Sequence, residues 1–224
     1  MPVASQLSPL QTQLLVLLAG LDPPWTLSGG AALAGFYLGH RRTRDLDLFW
    51  RRRPTIEASA RQVRERLDAQ GLDVSTLQTS PAFVQLRVSD GQETVVLDLV
   101  ADRVAAIEPP ARLALGAASI EVDSPHEILV NKLCALLGRL ELRDLVDVRA
   151  LLAAGGELPR ALRDAPRKDS GFSPPTLAWL LRDFPVEPLA AKLGAAPPEQ
   201  RALATFRDAL VEQLLKLSRP DGSQ

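Results

Sequence analysis

Cysteine is almost missing from this 224-residue chain. Cys134 stands alone, which excludes an intramolecular disulfide and a cysteine-held zinc or iron cluster. Histidine is nearly as scarce: His40 and His126 cannot build a histidine-rich metal centre. Aromatic residues make up 4% of the chain, and Trp25, Trp50 and Trp179 read as packing residues, not as base-stacking platforms. Charge of a dominant sign is also lacking. Twenty-six basic residues face 27 acidic ones, for a net charge of −1, which excludes a protein that coats DNA or RNA with its whole surface. The apolar stretch Leu14 to Leu21 has no basic flank and is too short to span a bilayer, so it reads as neither signal peptide nor anchor. A soluble cytoplasmic protein with no membrane partner is expected.

What is present is a large apolar fraction, 46%, enough for a sizeable core and incompatible with disorder. Ser8-Pro9 is an N-cap with proline at the first helical position, opening an apolar helix to Leu21 that Pro23-Pro24 stop. Trp25 to Ser28 is a short apolar run ending in Gly29-Gly30, with a small-residue helix over Ala31 to Leu38. Asp45 to Trp50 alternates acid and apolar side chains, the period-2 mark of a strand. An Arg-studded amphipathic helix spans Ile56 to Ala69. Strands Phe83 to Val88 and Thr94 to Val100 are joined at Asp90-Gly91, a hairpin signal, and Ile120 to Val122 is one more short strand. Ser124-Pro125-His126-Glu127 is a capping box opening a helix through Leu137. Only helical patterns follow: Leu142 to Ala153, Pro159 to Asp164, Pro175 to Asp183 and Glu199 to Leu217. The expected fold class is α+β: a mixed sheet with flanking helices over residues 1–123, then an all-helical domain over 124–224.

The informative segment is Leu27 to Trp50. Alternate strand side chains share a face, so Asp45 and Asp47 project together while Leu46 and Leu48 face the core. Paired carboxylates repel, and a divalent cation relieves that repulsion; oxygen ligands with room for water and phosphate suit Mg²⁺. Asp98 is a third acid inside the apolar strand Val95 to Val100. If that strand lies beside the first, the three acids can hold two metal ions, activate a hydroxyl and stabilise in-line displacement at phosphorus. Gly29 and Gly30, between strand and helix, let a phosphate approach the backbone. Taken singly, each feature has a plain structural explanation: a turn, a solvated strand edge, a local hydrogen bond. Their combination describes metal-dependent phosphoryl or nucleotidyl transfer from a nucleoside triphosphate.

Gly-Gly, a short helix, Asp-x-Asp on a strand and a later strand Asp resemble the DNA polymerase β-like nucleotidyltransferase superfamily. More narrowly, Leu27-Ser28-Gly29-Gly30 followed by His40-Arg41-x-Thr43-x-Asp45-Leu46-Asp47 resembles the AbiEii/AbiGii toxin family of nucleotidyltransferases. A second block, Lys132 to Arg139 followed by Arg143-Asp144-Leu145-Val146-Asp147, is similar to that family's Lys-helix and Arg-Asp-x-x-Asp motifs. The resemblance covers residues 25 to 152 and departs at Ala31, where the family commonly carries Thr or Ser. It implies an NTP- and Mg²⁺- or Mn²⁺-dependent transferase acting on the 3′ end of tRNA or another RNA as a toxin with a cognate antitoxin. The implied metal ligands are Asp45, Asp47 and Asp98. Ser28, Gly29, Gly30, Arg41, Thr43 and Lys132 are the implied nucleotide contacts. Asp144 and Asp147 share a helix face; the resemblance favours Asp147 as the active-site acid, with Asp144 a helix-terminal acid or a partner of Arg139 or Arg143.

Arg41, Arg42, Arg44, Arg51, Arg52 and Arg53 surround the two acids. Arg41 and Arg44 are assigned to phosphate or RNA binding, whereas Arg51 to Arg53 are assigned to solvated surface. His40 closes the turn, His126 lies on a helix surface and Cys134 belongs to the core. Two other functions fit the same residues: a nucleotidyltransferase acting on a small molecule, as antibiotic-modifying enzymes do, and a non-catalytic NTP- or RNA-binding module.

Overall fold

The computed structural model describes residues 5–218. Contacts divide the chain into two compact units, with the division between Ile128 and Leu129. The first unit is built on a mixed sheet of seven strands among the described residues. Its elements run α1 (Pro9–Leu18), β1 (Thr26–Ser28), α2 (Gly29–Ala32), a π-helical turn (Leu33–Tyr37), β2 (Asp45–Arg51), α3 (Glu57–Asp68), β3 (Asp73–Ser80), β4 (Phe83–Ser89), β5 (Thr94–Asp102), β6 (Ala111–Leu115) and β7 (Ala118–Val122). Helix α4 (Pro125–Arg139) crosses the division.

Across the sheet the order is β3-β4-β5-β2-β1-β7-β6. β2 pairs parallel with β5, and β1 with β7; the other neighbours are antiparallel. Burial alternates along β2 and β5, with Leu46, Leu48, Trp50, Val95, Leu97 and Leu99 inside. Helix α1 packs with α3, β5 and β7, contributing Leu10, Leu14, Leu15 and Leu18 to the core. The opposite face of β2 and β5, bearing the aspartates, is half-buried.

Local chemistry explains the element ends. Ser8 Oγ accepts from the Gln11 N–H at 3.1 Å and Gln11 Oε1 accepts from the Ser8 N–H at 2.9 Å, a reciprocal cap with Pro9 at the first turn. Glu127 N–H donates to Ser124 Oγ at 3.0 Å at the start of α4. The β4–β5 hairpin turns over 90–93, where Asp90 Oδ1 accepts from the N–H groups of Gln92 (2.8 Å) and Glu93 (2.7 Å). These bonds hold the Asp90 carboxyl below its ordinary range.

Several expectations differ from the structure. The helix expected over Ala31 to Leu38 is a single α-turn followed by the π-helical turn, in which the Leu38 and Gly39 N–H groups both donate to Leu33 O. Strands β3 and β6 were not expected; β3 is largely exposed and polar, so it lacks the alternation that reveals a strand. Trp25 and Trp50 are buried, their indoles donating to Leu18 O and Pro23 O, but Trp179 is 65% exposed and packs no core.

In the second unit every described element after α4 is helical: α5 (Leu142–Ala153), α6 (Leu158–Asp164) with a 3₁₀ turn (Ala165–Arg167), α7 (Pro174–Arg182), α8 (Val186–Lys192) and α9 (Pro197–Leu217). α9 packs with α5, α7 and α8, burying Leu203, Leu210 and Leu214. No described helix is long and apolar enough to cross a membrane.

Leu97 is fully buried in the central strand β5, so Leu97→Ala is expected to lower unfolding stability by about 3 kcal/mol in chemical denaturation. A loss under about 1 kcal/mol would contradict the placement of the core on this sheet face.

Candidate active site

Strand geometry brings the acids onto one sheet face. In the parallel β2–β5 ladder Asp45 faces Val96 and Asp47 faces Asp98 in register. Ser28, at the end of β1, faces Asp47 from the other side. One row across three strands therefore reads Ser28, Asp47, Asp98. The β4–β5 register adds Gln85 opposite Asp98, and Gln85 Nε2 donates to Asp98 Oδ1 at 2.8 Å.

The glycine pair shapes this row from above β1. Gly29 has φ +64°, and a Cβ there would lie 2.1 Å from Asp47 Oδ2. Only glycine permits both that backbone and that approach. A Cβ at Gly30 would lie 2.7 Å from Arg41 Nη2 and 3.4 Å from Thr43 Oγ1. Thus Gly29 makes room for the Asp47 carboxylate, and Gly30 for the Arg41 guanidinium. The Arg41–Thr43 segment is tied to the first helix: Gln11 Nε2 donates to Thr43 O at 3.0 Å. The Asp45 N–H donates to Thr43 Oγ1 at 3.4 Å as the chain enters β2.

Among the described residues, no three acid, histidine or cysteine side chains converge as a group able to hold a metal ion. Asp98 is turned toward Gln85, while the β2–β5 register sets Asp47 and Asp98 side by side on one face. The donor set, three carboxylates on one half-buried face, is of the hard-oxygen type that suits Mg²⁺ or Mn²⁺.

Further along the same face, Arg51 is not the solvated residue expected of it. Its side chain is 14% exposed; it pairs with Asp102, and Nη2 donates to Asp123 Oδ2 at 2.6 Å, with Glu127 Oε1 at 3.7 Å. The guanidinium lies 4.7 Å from the Phe49 ring centroid. Burial raises the Tyr37 phenol pKa, and the Asp123 charge adds to the shift.

The second sequence block lies in the helical unit. Lys132 Nζ donates to Asp144 Oδ1 at 2.7 Å and pairs with Asp147 Oδ2 at 2.9 Å, and Arg139 Nε donates to Asp144 Oδ2 at 2.8 Å. Both acids are fully buried. Burial opposes charge on Lys132, but the Asp147 and Asp144 carboxylates outweigh it and hold the ammonium above the ordinary lysine range. Nearby, burial pushes the Cys134 thiol up to about 12, which rules out a thiolate nucleophile at neutral pH.

Gln11 and Gln85 carry no signal of their role in the sequence, and Arg51 carried only the reading of a solvated surface residue. Gln85 was findable only with the hairpin register: a two-residue turn at Asp90-Gly91 would pair Gln85 with Val96, whereas the observed turn pairs it with Asp98.

The family model described as nucleotidyl transferase AbiEii toxin, of type IV toxin–antitoxin systems, matches residues 13–218. Among solved structures, the chain is similar to MenT4, a nucleotidyltransferase toxin from Mycobacterium tuberculosis: 20% identity, TM-score 0.61, 93% of this chain and 85% of the other. It is also similar to JHP933 from Helicobacter pylori, with 20% identity and TM-score 0.52 over 91% of this chain and 88% of that one. At these identities the likeness is one of fold. No curated protein matches in sequence.

Gly29→Ala is expected to lose about 1–2 kcal/mol of stability, measured by thermal unfolding, because φ is positive and the new methyl meets Asp47; wild-type stability would refute the close approach. Lys132→Met strands buried carboxylates and is expected to cost about 3–5 kcal/mol. The raised Lys132 pKa also sets a sign: its stabilisation is complete below the ordinary value of 10.5 and fades as pH climbs through the higher folded value. Unfolding titrations above pH 10.5 should show that decline in the wild type and a shallower one in Lys132→Met.

Proposed function

Because the chain belongs to the AbiEii nucleotidyl transferase toxin family of type IV toxin–antitoxin systems, we propose that it moves a nucleoside monophosphate from an NTP to the 3′ hydroxyl of tRNA or another RNA, and that a cognate antitoxin restrains it. The observation that supports this most directly is the row of carboxylates: Asp47 and Asp98 in register on adjacent parallel strands, Asp45 on the same face, and Gly29 against Asp47.

Asp45 and Asp47 are the residues to hold Mg²⁺ or Mn²⁺ jointly, with Asp98 completing the set after giving up its bond to Gln85. A divalent cation held by these residues would supply charge neutralisation at the phosphoryl oxygens and would acidify the attacking hydroxyl. Asp98 orients the acceptor hydroxyl and takes its proton. The acceptor oxygen forms a bond to the α-phosphorus as the bond to the β-phosphate oxygen breaks, and pyrophosphate leaves. Ser28, Gly29 and Gly30 line the phosphate path, with Arg41 and Thr43 beside them as further nucleotide contacts. In the helical domain, Lys132 is assigned to the nucleotide phosphates and Asp147 to the active-site acid, on the strength of the family motif.

The test is incubation with each α-labelled NTP, Mg²⁺ and total bacterial RNA. Label is expected in RNA, and Asp45→Ala should lower its transfer by at least about 10²-fold. Absence of label from RNA overturns the RNA acceptor. Label on a small molecule points to the antibiotic-modifying type of chemistry, and binding without transfer points to a non-catalytic module.

A further inference from the structure

A cavity of about 460 Å³ opens in the first unit beyond the end of β2, lined by Arg51, Arg52 and Arg53, by the proline pairs Pro23-Pro24 and Pro109-Pro110, and by Glu121. Its size falls within the range of small-ligand sites. Two properties separate it from an ordinary surface hollow. First, among the described residues, the side chains of Arg52, Arg53 and Glu121 enter no hydrogen bond or ion pair, although the chain pairs most of its other cavity-facing charge: Arg51 is engaged by Asp102 and Asp123, and Glu108 accepts the Ser124 hydroxyl. Second, Arg52 has φ +56°, a conformation that an L-residue adopts at a cost glycine would avoid. Its side chain is exposed on the turn that follows β2, at the lining of the cavity.

We infer that this cavity is a subsite for one unpaired nucleotide of the acceptor RNA. An unstacked nucleotide presents a phosphodiester, a flat apolar base and a polar base edge, and proteins that read single-stranded RNA meet all three. Here the free guanidinium groups of Arg52 and Arg53 take the phosphodiester oxygens. Proline rings and Ile107 cover the base faces. The Glu121 carboxylate accepts from an exocyclic amino group, so cytosine is favoured over uracil, which carries none. The location suits a chain whose 3′ end is at the aspartates: Arg51 follows Asp47 by four strand residues, about 13 Å, close to the length of four stacked nucleotides at about 3.4 Å each. This assignment rests on the RNA acceptor proposed above.

The test uses the full chain in EDTA, with fluorescence anisotropy of labelled oligo(C) and oligo(U) dodecamers over a range of KCl. In the wild type, oligo(C) should bind several-fold tighter than oligo(U). Arg52→Ser with Arg53→Ser should weaken both about tenfold and make the salt dependence shallower by about 1.4, the slope of two single-strand phosphate contacts. Glu121→Gln, whose amide pairs with either base, should erase the difference between them. If the double variant does not fold, Arg53→Ser alone should remove about half of that slope. Unchanged affinity and slope in the arginine variants overturn the subsite, as does displacement of the dodecamer by free CMP at an equal concentration, which would make the occupant a free nucleotide. Because binding is read without NTP, the two proposals fail separately. A wild type that binds RNA in this way but transfers no nucleotide keeps the subsite and loses the enzyme; normal transfer with unaltered binding by the variants does the reverse.

Discussion

The parallel pairing of β2 with β5 is the constraint on which the first unit depends. These strands are separated by α3, β3 and β4 in sequence, so the pairing is non-local and carries a loop-closure cost before it returns anything. Its register is nevertheless tightly determined. Both strands alternate, and the pairing that buries Leu46, Leu48, Leu97 and Leu99 puts Asp45, Asp47 and Asp98 together on the other face. A slip of one residue on either strand would turn carboxylates into the core and leucines to solvent. The hydrophobic core thus selects the arrangement that the proposed chemistry would use, and the acids reinforce it by excluding the alternative.

That same face carries a second, compensated cluster. Arg51 draws in Asp102, Asp123 and Glu127 from the end of β5, the end of β7 and the first turn of α4. One cation against three carboxylates holds three elements to the sheet end, where backbone pairing alone has run out. The helical unit solves the converse problem in a similar way. Asp144 and Asp147 are buried on α5, and Lys132 and Arg139 from α4 meet them. In both places the ions act as cross-links between elements, and losing one partner leaves the others stranded.

How much of this was legible in the sequence follows from how local each feature is. The cap at Ser8, the Ser124 hydroxyl cap of α4 and the alternation of Asp45 to Trp50 depend on residues within a few positions, and they were readable; the Glu127 carboxylate expected to complete a capping box there accepts instead from the Ile107 N–H. So was the family, because its motifs are short and contiguous. The adjacency of β2 and β5 could only be posed as a condition, since nothing within either strand names its neighbour. Strand β3 lacked a buried face to announce it. Gln85 depended on a turn two residues longer than the Asp90-Gly91 pair suggests. Lys132 carried only the phosphate role implied by the family resemblance, and its ion pairs with Asp144 and Asp147 depend on the packing of α4 and α5, which no local pattern records.

The overall charge of −1 acquires a physical meaning from these clusters. A protein without net positive charge has no long-range attraction for a polyanion, so association with RNA is not steered from a distance. Affinity must come from a few short contacts, and the salt dependence must be correspondingly small. With the RNA acceptor proposed above, weak non-specific binding would have an advantage: such an enzyme would not stay on the bulk of the RNA it does not modify. Specificity then falls to the places where charge is locally unbalanced. On this chain those are the arginines at both ends of β2 whose side chains enter no ion pair among the described residues, Arg42 and Arg44 before the aspartates and Arg52 and Arg53 after them. One strand therefore carries the acids that would hold the metal and the contacts at either side that would hold the nucleic acid in line with it.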